Sequence, residues 1–103
     1  MAGNISCSSD ERLKKNVTAL EDVASLRKIL KLQTVTYRWQ TGDEKLRTGY
    51  VAQQVERVAP ELVREGKDGY KQVSYVGLIP WITGAIKALY AQADAQKIRI
   101  QEL

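Results

Sequence analysis

The feature that most constrains this chain is an apolar repeat in its C-terminal part. Ile79, Ile86, Ala93 and Ile100 fall at one heptad position, and Ile82, Leu89, Gln96 and Leu103 at the other. Alternating steps of three and four residues line one side of an α-helix, so a helix over about 76–103 is predicted. Two arrangements satisfy such a stripe: packing on the helix's own domain, or pairing with copies of itself. The stripe is narrow after Tyr90 and continues to the last residue, which favours self-association. Ile at one position and mostly Leu at the other does not by itself choose between two strands and three. Gln96 at a core position costs stability but can fix register. Pro80 falls in or near the first turn, and a helix starting as early as Ser74 should kink there.

Upstream of the repeat the elements are short. At 103 residues the chain is one domain by length. A domain of this size buries a modest core, so partner chains are expected to contribute stability. Residues 18–21 read Thr-Ala-Leu-Glu, which fits a capping box, with Thr18 and Glu21 satisfying each other's backbone N–H groups. Leu20, Val23, Leu26, Ile29 and Leu30 then recur at helical spacing to about Lys31. Residues 34–39 alternate, with Val35, Tyr37 and Trp39 on one face, and residues 46–51 form a second strand across a 41–44 turn. Residues 52–60, Ala-Gln-Gln-Val-Glu-Arg-Val-Ala-Pro, read as a short helix stopped by Pro60, because a residue preceding proline avoids the helical region. Residues 63–65 and 70–75 flank a Gly-Lys-Asp-Gly turn and suggest a second, smaller hairpin. The fold class is therefore α+β: a helix, two hairpins with a short helix between them, and a long C-terminal helix. Trp39, Trp81, Tyr37 and Tyr75 read as core or interface aromatics. Gly49 and Gly84 mark places where backbone is approached closely.

Composition excludes several chemistries. There is no histidine, and Cys7 is the single cysteine. Intrachain disulfides, Cys/His zinc sites and histidine-based nucleophilic triads are thereby ruled out. Acid–base chemistry must use lysine, a carboxylate or tyrosine. No metal and no cofactor is expected. The net charge of +4 is dispersed, as in Asp-Glu-Arg-Leu-Lys-Lys at 10–15. No basic recognition helix or stacking motif accompanies it, so nucleic acid is not an expected partner. The first ten residues lack the apolar run of a signal peptide. The longest uncharged apolar stretch, 72–86, is too short for a membrane span and contains Pro80 and Gly84, so no membrane partner is expected.

Function enters with residues 8–17, Ser-Ser-Asp-Glu-Arg-Leu-Lys-Lys-Asn-Val. A Ser-Asp pair (Ser9, Asp10) precedes Arg12-Leu13-Lys14, followed by Asn16 and aliphatic Val17. An aromatic strand, Tyr37-Arg38-Trp39, comes next. Residues 48–63, Thr-Gly-Tyr-Val-Ala-Gln-Gln-Val-Glu-Arg-Val-Ala-Pro-Glu-Leu-Val, and the strand and helix of 70–89 complete the series. In this order the segments resemble the endosialidase-type intramolecular chaperone domain of phage tail fibres and tailspikes, a module also found in the myelin regulatory factor. The resemblance covers about residues 9–89.

The resemblance implies a homotrimer whose partner in cis is an upstream phage fibre or tailspike chain. The domain would align three chains, assist fibre folding, and then release itself by cleavage at the Ser9–Asp10 motif. Residues 1–8 would be a remnant or linker to the fibre, and 9–103 the chaperone domain. Assembly would take place in the host cytoplasm, and the cleaved domain would not stay in the mature fibre. By position Ser9 is the nucleophile and Lys14 the general base, with Arg12, Asn16, Gln53 and Glu56 supporting the site. The trimer interface would be the heptad stripe, Ile79 to Leu103. The alternative is a trimerisation domain of the same fold that does not cleave. A serine hydroxyl needs a base, and lysine serves only when burial or nearby positive charge lowers its pKa from about 10.4. Arg12 and Lys15 are candidates for that charge. A spacing of five residues puts the two side chains ~140° apart on a helix and on opposite faces of a strand. Ser9 and Lys14 can meet only if the chain bends between them, or if the lysine comes from a neighbouring subunit.

Overall fold

A computed structural model describes residues 6–102. Leu103 of the heptad stripe and residues 1–5 of the expected leader lie outside the described residues. Residues 6–21 form an exposed leader with one 3-10 turn at Glu11–Leu13. Helix α1 (Asp22–Leu30) leads to the antiparallel pair β1 (Val35–Tyr37) and β2 (Arg47–Gly49), with Val35 opposite Gly49. Helix α2 (Ala52–Val58) and a 3-10 turn at Pro60–Leu62 precede the second hairpin, β3 (Val63–Glu65) and β4 (Lys71–Val73). Helix α3 (Tyr75–Gln101) closes the chain. The α+β order read from the sequence is the order found. Among the described residues no helix is long and apolar enough to cross a membrane.

The capping box does not form. Helix α1 begins at Asp22, after Glu21, whose side chain makes no cap. Asn16 takes a left-handed conformation (φ 56°), and the Thr18 hydroxyl donates to the Asn16 carbonyl at 3.3 Å. Asn tolerates that backbone region better than other non-glycine residues. Thr18 is thus drawn to its own turn, and Leu20 stays outside the helix, half exposed. Asp22 in the first turn supplies the negative charge that the helix N-terminus favours.

Two apolar clusters hold the body together. Val55, Ala59, Leu62 and Leu78 form one, where α2 and the Pro60–Leu62 turn meet α3. Leu26, Ala85 and Ala88 form the other, between α1 and α3. Ile29 touches both, so α1 joins them. Close approach of α1 to α3 requires Gly84, where a Cβ would stand 2.9 Å from Ser25 Oγ.

Helix α3 starts cleanly, with Ser74 Oγ accepting from Gly77 N–H at 3.1 Å. Pro80 lies inside the helix, and its missing N–H leaves the Val76 carbonyl without the usual i+4 donor. The face that packs on the rest of the chain is not the heptad stripe. Leu78, Trp81, Ala85 and Ala88 point inward, and each heptad residue, Ile79, Ile82, Ile86 and Leu89, follows one of them. One residue is a rotation of ~100°. The stripe is therefore left exposed, Ile86 by 61% and Ile100 by 69%. From Leu89 to Glu102 every residue is exposed, including Ala93 and Gln96.

Candidate functional site

The leader residues 9–18 are exposed, and their order comes from one tight turn. Asp10 caps it: Oδ1 accepts from the Arg12 backbone N–H at 2.9 Å. Leu13 N–H donates to the Asp10 carbonyl and Lys14 N–H to the Glu11 carbonyl, at 3.0 and 3.1 Å. A 3-10 turn advances only ~2.0 Å per residue, against ~3.3 Å in a strand. Lys14 is thus carried back over Ser9, and its Nζ donates to Ser9 Oγ at 2.7 Å. Within the single chain, the bend between them brings the pair together.

The Arg12 guanidinium folds back on the same carboxylate. Nε donates to Asp10 Oδ1 at 3.0 Å and Nη2 to Oδ2 at 2.8 Å. The Arg12 side chain, then its backbone N–H, holds the Asp10 carboxyl below the usual carboxylate range. Arg12 is raised in turn by Asp10. Arg12 therefore does not act as a free cation beside Lys14: its charge is matched by the neighbouring carboxylate. The Asp-x-Arg spacing was the one signal for this fork in the sequence.

The remaining site residues lie elsewhere. Asn16 contributes its left-handed turn just after Lys14. Glu56 on α2 accepts from Lys71 Nζ at 2.6 and 2.8 Å, tying α2 to β4. Gln53 faces a groove of about 810 Å³ between the hairpins, lined also by Tyr37, Trp39, Tyr50, Tyr70 and Tyr75. Among the described residues no hydrogen bond or ion pair joins Gln53 or Glu56 to residues 9–18. Nor does any group of three or more His, Cys, Asp or Glu side chains converge there as metal ligands would.

A serine hydroxyl held by a lysine amine at the first residues of an ordered motif is the arrangement that comparison with known proteins bears on. The family model described as chaperone of endosialidase, a peptidase family by name, matches residues 9–64. The chain belongs to this family. The match begins at Ser9 itself and runs through both hairpin strands β1 and β2 to β3. Myelin regulatory factor homolog 1 of Caenorhabditis elegans is 34% identical over an alignment of 74 residues, and the alignment covers 63% of this chain. The chain spans 8% of that relative's length. What these likenesses establish is a domain of the chaperone-of-endosialidase family, which is named as a peptidase family.

Proposed function

We propose that this domain trimerises a phage tail fibre or tailspike, assists its folding, and cuts itself free at the Ser9–Asp10 motif. The observation carrying the reading is the 2.7 Å contact between Lys14 Nζ and Ser9 Oγ at the first residue of the family match. In the reaction, Ser9 Oγ adds to the scissile carbonyl carbon while the Lys14 amine takes the hydroxyl proton. The C–N bond breaks, the leaving amine receives that proton, and water hydrolyses the resulting ester. An ammonium can only donate a hydrogen bond, so the contact must reverse before Lys14 acts as a base. Desolvation favours the neutral amine, yet both side chains are exposed in one chain. A neighbouring subunit or the upstream fibre must cover them, which ties cutting to assembly. Release occurs during virion assembly in the host cytoplasm, leaving the fibre kinetically trapped because its template is gone.

The exposed α3 stripe supports trimerisation. A helix of about 14 residues with no packed face is marginal in water, and burying the stripe against identical helices removes that penalty. The test is the mass of the chain carried behind its upstream sequence, for wild type, Ser9→Ala and Lys14→Ala. Wild type should yield two fragments and both variants one uncut chain, all trimeric. Equal processing of all three removes the Ser/Lys mechanism. An uncut wild-type trimer leaves the non-cleaving chaperone reading in its place.

A further inference from the structure

Asp10 is the only carboxylate adjoining Ser9, one residue from the hydroxyl that Lys14 holds. A free carboxylate there would pair with Lys14 and keep it protonated, which is the wrong state for a base. Instead both its oxygens are occupied by Arg12, through Nε, Nη2 and the backbone N–H. No ion pair joins Asp10 to Lys14 among the described residues. We infer that Arg12 is a positioning residue for the cleavage: its fork on Asp10 shapes the turn that brings Lys14 to Ser9 and stops Asp10 from capturing Lys14.

The inference rests on the Ser9/Lys14 reading and adds a division of labour to it. The charged side chains beside Lys14 are Asp10, Glu11, Arg12 and Lys15, all in its own segment. No hydrogen bond or ion pair from α1, α2, α3 or the hairpins reaches that segment among the described residues. The fork is geometric as well as electrostatic. A lysine in place of Arg12 offers a point charge without the planar pair of donors, so it can neutralise Asp10 but not hold it in one orientation.

The test follows cleavage of the chain behind its upstream sequence across pH, with the Lys14 ammonium titration read in parallel by NMR. Arg12→Ala should move both midpoints upward by about one pH unit and slow cleavage roughly tenfold at neutral pH. Arg12→Ala/Asp10→Asn should bring both midpoints back, since the freed carboxylate is gone. Arg12→Lys should recover the midpoints but not the full rate. An Arg12→Ala chain with wild-type midpoints overturns the inference, as does a shift that persists in the double variant. The NMR titration reports even if cleavage is slow. Ser9→Ala distinguishes the two levels: if it cuts normally, the Ser9/Lys14 reading itself falls, whereas a dead Ser9→Ala with an indifferent Arg12→Ala removes Arg12 alone.

Discussion

Gly49 ends β2 where the Tyr75 hydroxyl, from the first turn of α3, comes closest to the hairpin. Tyr75 Oη accepts from the Tyr50 backbone N–H at 3.0 Å, so one side chain links hairpin and helix. A Cβ at position 49 would collide with that hydroxyl and press on Tyr37 Cε1 at 3.3 Å. Gly49→Ala should therefore cost about 1–3 kcal/mol, the usual range for overpacking. Tyr75→Phe alone should cost about 1 kcal/mol, from the lost hydrogen bond. The two effects should not add: with the hydroxyl gone, the new methyl meets less resistance. A double-mutant cycle in urea measures the coupling, and strict additivity would mean the close approach is not what position 49 reports.

Between elements, the contact that organises the body is α1 against α3. Ser25 Oγ donates to the Glu21 carbonyl at 2.9 Å, which holds it beside Gly84. Gly84→Ala gains ~1 kcal/mol of helix propensity but places its Cβ 3.0 Å from Ser25 Cβ. The clash, about 1–3 kcal/mol, should outweigh the gain, and a lower urea midpoint checks it. Both glycines could be read from the sequence because close approach is what glycine inside an element signals. The hairpins were legible too, since alternation and turn residues are local. What failed was the start of α1, because a Thr-x-x-Glu pattern says nothing about a competing turn at Asn16. The packed row of α3 was missed for a related reason. Leu78, Ala85 and Ala88 are small or isolated beside the conspicuous isoleucines, and only the partner helix reveals that they face inward. Ser9 and Lys14 were singled out through the resemblance, while the bend that joins them is a 3-10 turn capped by Asp10, which no periodicity announces.

At the scale of the whole molecule, α3 carries one packed row and one exposed row, and substitutions should separate them. Leu78 is 2% exposed and Ile86 61% exposed, though both are large aliphatics on one helix. Leu78→Ala leaves a cavity in the Val55 cluster and should cost about 2–5 kcal/mol of chain stability. Ile86 belongs to neither buried cluster of its own chain, so the single-chain fold should survive Ile86→Asp. In a trimer, however, it would bring three unpaired carboxylates into an apolar seam, where burying a charge without a partner is prohibitive. Light scattering should accordingly give three subunits for wild type and one for Ile86→Asp, while circular dichroism shows the hairpins and α1 intact and the distal part of α3 frayed. Chemical denaturation should then lose its dependence on protein concentration, because folding no longer includes association. A wild-type chain that scatters as one subunit at every concentration, alone and behind its upstream sequence, would leave the exposed stripe without its proposed partner and the trimer reading with it.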